Sequence, residues 1–140
     1  MSTMAPSAQE FGFAWVALCV CLAIHVADEA LTDFLSVYNP NVLAIRHRLP
    51  FLPLPTFTFK VWLGLLILAN AVLLALSPFA FRGAPWMVPL SYVFGVIMFL
   101  NGLAHVISSI YMRRWMPGVY SSPLLLVVSA YLLMTARVVP

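Results

Sequence analysis

The chain has 140 residues, 64% hydrophobic and 8% charged, with a mean hydropathy of +1.02. Soluble domains carry about 25% charged residues, so the composition excludes a water-soluble globular protein and predicts an all-α membrane protein forming one integral-membrane domain over residues 1–140. The net charge of +3 comes from basic residues gathered at the ends of apolar segments, a pattern that sets membrane orientation and argues against nucleic-acid binding.

Residues 1–10 contain no Lys or Arg, so they lack the positive n-region of a signal peptide and no cleavage is expected. The first apolar segment covers residues 11–35, enough to cross a bilayer, which takes about 20 mostly apolar residues. Cys19 and Cys21 fall on it; two positions apart on a helix they point about 200° away from each other and should not pair. Residues 36–56 hold Pro40, Pro50, Pro53 and Pro55 among Val42, Leu43, Ile45, Phe51 and Leu52. That stretch is too apolar for a free linker and reads as an interfacial or re-entrant segment capping the bundle.

The second span covers 57–81, followed by the turn Arg82-Gly83-Ala84-Pro85 and a third span over 86–111. Met116-Pro117-Gly118 is a Pro-Gly turn signal ahead of a fourth span over 119–139. Helices are the expected form because backbone groups in lipid must satisfy their own hydrogen bonds. The result is a four-transmembrane-helix bundle. Trp15 and Trp86 are expected at one interface, Trp62 and Trp115 at the other, as in an aromatic belt. Arg46, Arg48, Lys60, Arg113 and Arg114 flank the first and third connections, while Arg82 and Arg137 lie on the other side. By the positive-inside rule both termini then face away from the cytoplasm, a bacterial inner membrane being the expected setting.

Within the first span stands His25-Val26-Ala27-Asp28-Glu29. An ionised side chain at bilayer depth costs roughly 2.5–3.5 kcal/mol on insertion scales, so tolerated charges mark a place where function is expected. On a helix His25 and Glu29 lie about 40° apart on one face, with Asp28 about 60° to the other side. Asp28 and Glu29 should therefore aim at different points, one at the site and the other at a second group such as an arginine of the cytoplasmic connections. Cys21 and Thr32 extend the His25 stripe by a turn in each direction. Asn101, His105 and Ser108 form a matching stripe on the third span, and Asn70 and Ser129 come to similar depth on the second and fourth.

Two imidazoles with one or two carboxylates suffice as ligands for Zn²⁺, Fe²⁺ or Mn²⁺, with His25, Glu29 and His105 as the ligand set. Without metal, His25 and a carboxylate can serve as an acid/base pair, and the same groups could relay protons or ions. Polar groups in membranes also tie helices together, at about 0.6 kcal/mol on average, and Asn70 and Ser129 read most simply that way. Arg113 and Arg114 read as anchors that could also bind a lipid phosphate or an anionic substrate.

His25-x-x-Asp28-Glu29, Asn101-x-x-x-His105 and Arg114-Trp115-Met116-Pro117-Gly118 resemble, in order and spacing, the HXXEE membrane-protein family. Asp28 stands where that family usually has its first Glu, keeping the charge and shortening the reach by a methylene. The resemblance implies the site and assigns no reaction. The function expected is a small intramembrane enzyme acting on a lipid-soluble substrate among membrane lipids, with His25, Glu29 and His105 as ligands or acid/base groups and Asp28 and Asn101 orienting them. The rival expectations are a proton or metal-ion transporter, as a homo-oligomer, and a non-catalytic subunit of a membrane complex.

Overall fold

A computed structural model describes residues 6–139; the first five of the ten residues on which the expectation of no signal-peptide cleavage rests lie outside them. The described chain is all-helical: α1 Pro6–Leu31, α2 Phe34–Arg48, α3 Phe59–Ala75, α4 Ser77–Phe81, α5 Met87–Met112 and α6 Ser122–Ala136. Ser7–Leu31, Phe59–Phe81 and Met87–Met112 are long and apolar enough to cross a membrane.

The expected first span ends earlier than its hydropathy suggests. Thr32 turns its hydroxyl back onto the Asp28 carbonyl at 2.6 Å, and Asp33 takes a left-handed conformation at φ 57°. Asp is one of the few residues that enters this region readily. The chain therefore leaves α1 at Leu31 and restarts as α2, and Asp33, Phe34 and Leu35 lie outside the first span.

The Pro-rich connection is half helix. α2 runs through Pro40, while residues 49–58 form turns and irregular chain and are tied back to it. Asn39 does most of the tying: its amide nitrogen donates to the Phe57 carbonyl at 2.9 Å and its amide oxygen accepts from the Phe57 N–H at 3.0 Å. Tyr38 stacks between Phe34 and Phe57 with centroids 5.4 and 6.0 Å away.

The expected second span is met by the apolar stretch Phe59–Phe81, whose helix is interrupted at Leu76. Pro78 has no N–H to continue the ladder, and α4 starts there as a separate short helix. α6 has 15 residues, about 22 Å of rise against a hydrocarbon core of about 30 Å. The expected span over 119–139 is thus longer than the helix, because residues 116–121 form turns around Pro117 and Gly118.

α6 packs between α5 and α1, and α1 carries α3 and α4 on its other flank. Phe11, Trp15 and Leu18 of α1, Met87 and Phe94 of α5, and Leu125 and Leu132 of α6 make the core. Two glycines permit the close approaches. A Cβ on Gly12 would overlap the Phe81 ring of α4, and one on Gly95 would lie 2.9 Å from Leu133.

The tryptophans correct the belt expectation. Trp15 is fully buried, donates to the Leu73 carbonyl at 2.9 Å and meets Phe94 edge-on. Trp62 is buried as well, against Phe34. Only Trp86 and Trp115 are exposed. Cys19 and Cys21 are both buried and free.

Candidate functional site

The helical periodicity that places His25 and Glu29 on one face of α1 turns both inward, where they are buried. α5 brings His105 against them. The two imidazoles meet edge-on with centroids 4.9 Å apart, and Glu29 Oε1 lies 3.1 Å from His105 Nε2 and 3.6 Å from His25 Nε2. One ligand atom from each of His25, Glu29 and His105 falls within 4.8 Å of the others, so this group could hold a metal ion.

A chain of hydrogen bonds leads away from the cluster. His25 Nδ1 is 2.7 Å from Ser121 Oγ, and Ser121 Oγ donates to Asp28 Oδ2 at 2.7 Å. The Ser121 backbone N–H donates to the same carboxylate oxygen at 2.8 Å. With the serine proton committed to Asp28, the serine oxygen accepts, so His25 carries its proton on Nδ1. Nε2 then presents its lone pair to the cluster and accepts from the Asn101 amide at 3.0 Å.

Asp28 thus has a partner that the sequence reading did not supply. No arginine pairs with it among the described residues. It takes the N-terminus of α6, where unpaired N–H groups and the helix dipole favour a carboxylate. Glu29 and Asp28 serve different points, the first His105 and the second Ser121.

The turn before α6 closes the site. Gly118 has φ +81°, and a Cβ there would lie 2.8 Å from His105 Cε1 and 3.1 Å from Glu29 Cγ. Only a glycine lets the turn rest on both side chains. Thr32 fixes it from the other side, accepting from the Gly118 N–H at 3.3 Å.

Some expected members stand apart. Cys21 belongs to the hydrophobic core. Asn70 Oδ1 and Ser129 Oγ are buried without a hydrogen-bond partner and do not join the cluster. Asn70 lines an apolar crevice between α1 and α3. Ser121 and Gly118 were missed as site residues. Their signal was the Pro-Gly turn followed by Ser121-Ser122, which is also an ordinary helix start and so carried no distinctive mark.

Beside the cluster, under α2, lies a pocket of about 410 Å³ walled by Phe34, Tyr38, Val42 and Leu54. Asn101 and His105 form part of its wall. The exposed Arg113 and Arg114 at the end of α5 have no carboxylate partner among the described residues.

The molecule is therefore a helical protein with three helices of membrane-crossing length and, between α1, α5 and the turn before α6, a buried His/Glu/His group able to take a metal. The chain belongs to the family described as protein of unknown function with HXXEE motif, whose signature matches residues 11–133. No curated protein and no solved structure matches it.

Proposed function

We propose that the protein is a four-helix integral membrane protein and a small intramembrane enzyme, with a divalent metal held by His25, Glu29 and His105 and a lipid-soluble substrate admitted beneath α2. The observation that carries the reading is the wiring of His25. A metal-ligating histidine typically donates its other ring nitrogen to a carboxylate or equivalent, which fixes the tautomer and the ring. Here His25 Nδ1 reaches Asp28 through Ser121, which leaves the Nε2 lone pair, held by the Asn101 amide at 3.0 Å, as the one an ion would take, releasing that amide. A helix-tying role needs no such second layer.

Two imidazoles and one carboxylate match the protein ligands of catalytic zinc sites and of non-haem iron sites, and Zn, Fe and Mn are the candidates. Such an ion, when bound, supplies a Lewis acid and an activated water. The chain's own residues do the remaining work. Asp28 and Ser121 hold the His25 proton on Nδ1, and Asn101, whose amide would be released from His25 Nε2 by an ion there, would then offer it to a polar group of the substrate at the pocket wall. The aromatic lid of Phe34 and Tyr38 keeps bulk water off the cluster.

Membrane residence is supported by the exterior. Leu65, Ile67, Leu68 and Val72 of α3 are all more than half exposed, far more apolar surface than a water-facing helix tolerates. The short α6 completes four crossings if its turn at 116–121 is counted within the apolar layer.

The 3.1 Å contact between Glu29 and His105 favours, as a second form of the reading, an acid/base pair working without metal. Metal analysis of detergent-purified protein separates the two. About one Zn, Fe or Mn per chain is expected, lost in Glu29→Ala and His105→Ala. Wild-type protein that retains no metal after incubation with each of the three ions refutes the metal form.

A further inference from the structure

The pocket under α2 does not end at the cluster. A second pocket, about 420 Å³, shares Val37, Asn41, Ser108 and Met116 with it and continues along α2 toward the end of α5. Its character changes on the way. The first is walled mainly by aromatic and aliphatic side chains, whereas the second adds Ser36, Tyr111 and Arg114. Together they form one groove with His105 at its apolar end and a guanidinium at its polar end. From His105 to the last residue of α5 at Met112 the helix rises about 10 Å.

The geometry points to an anionic amphiphile as the substrate of this site: a molecule whose apolar body lies under α2 and whose carboxylate or phosphate is met by Arg114. This rests on the reading of His25, Glu29 and His105 as the reacting centre. It adds that the reacting position lies roughly 10 Å from the charged head. Guanidinium suits such a head because its planar fork matches carboxylate and phosphate oxygens. No aspartate or glutamate occupies it among the described residues. Ser36, Ser108 and Tyr111 supply further hydroxyl groups at the same end. Arg113 is the natural comparison. It is adjacent in sequence and likewise exposed, but it lines only the neighbouring pocket formed with Val119 and Pro123, whereas Arg114 stands between that pocket and the groove and lines both.

The test is binding of cis-parinaric acid and its methyl ester to the full chain in neutral maltoside micelles, followed by fluorescence. The acid is expected to bind more tightly than the ester. Arg114→Gln should weaken the acid about fivefold, the scale of an exposed charge-assisted contact, and leave the ester unchanged. Arg113→Gln should leave both unchanged. Val37→Trp, which fills the shared stretch of the groove, should weaken both. Dodecyl phosphate and dodecanoate as competitors rank the two heads. Displacement by inorganic phosphate as effective as by dodecyl phosphate would mean a free anion and overturn the proposal. Equal binding of acid and ester, or equal losses in the two arginine variants, overturns it too. Metal content of the same samples keeps the two readings apart. Metal with no acid preference refutes the amphiphile alone, and acid preference without metal refutes the metal centre alone.

Discussion

Replacing Gly118 by alanine tests whether the turn before α6 is part of the site. Two costs add. At φ +81° a Cβ brings the left-handed penalty, about 1–2 kcal/mol for an ordinary residue. The new Cβ also falls 2.8 Å from His105 Cε1 and 2.9 Å from its Nδ1, closer than carbon atoms pack, so the imidazole must swing away from Glu29 or the turn must lift off it. Overpacking of this kind costs about 1–3 kcal/mol. Gly118→Ala should therefore lose about 2–5 kcal/mol in equilibrium unfolding from mixed micelles, and metal affinity should fall with it. Gly83→Ala separates the two terms. Gly83 also has a positive φ, +63°, but its Cβ would meet only Ala8 at 3.2 Å and Val139 at 3.5 Å. It should show the backbone cost with metal binding intact. Gly64, around which nothing lies within 4 Å, should accept alanine with no loss. A Gly118→Ala protein no less stable than Gly83→Ala and with unchanged metal affinity would refute the reasoning.

Three further outcomes are expected. Ser121→Ala cuts the link from His25 to Asp28 and should weaken metal binding about 10–100-fold, measured by competition with a chromogenic chelator, while the helices remain by circular dichroism. Trp15→Phe removes the bond to the Leu73 carbonyl and should destabilise by about 1 kcal/mol in the same unfolding assay, without altering metal content. Reporters of compartment fused to each terminus should both give the non-cytoplasmic signal; signals on opposite sides would mean an odd number of crossings and exclude α6 as a span.

The site was more legible than the fold around it, for a physical reason. A charged triplet in an apolar run stands out because lipid penalises it, and helical periodicity then assigns His25 and Glu29 to one face with Asp28 off it. Hydropathy does not register backbone conformation, so the break at Asp33 was folded into a longer first span and the helix interruption at Leu76 lay hidden inside a second span that was otherwise placed correctly. It also does not separate a lipid-facing indole from a core one, since Trp15 satisfies its N–H through a carbonyl at 2.9 Å as readily as at an interface. Ser121 escaped notice because serine at a helix start is common, and its partner lies 93 positions away. Asn70 and Ser129 share the expected depth, but depth along a helix says nothing of the direction in which a side chain leaves it.

The span between Asp28 and Ser121 has a consequence in time. During synthesis α1 is made before α5 and α6, so on the proposed membrane residence its two carboxylates arrive before either partner exists. At about 5–20 residues per second, the 93 positions to Ser121 take roughly 5–20 s to be made. His105 arrives only shortly before. Through that interval α1 carries an uncompensated load that favours a shallow or chaperone-held state. The last helix then acts as a latch: only when α6 docks does Asp28 find its N–H and the turn at Gly118 close over His105 and Glu29. A chain truncated before Ser121 should leave α1 poorly inserted and open to membrane quality control, so the site also reports that α6 has been made.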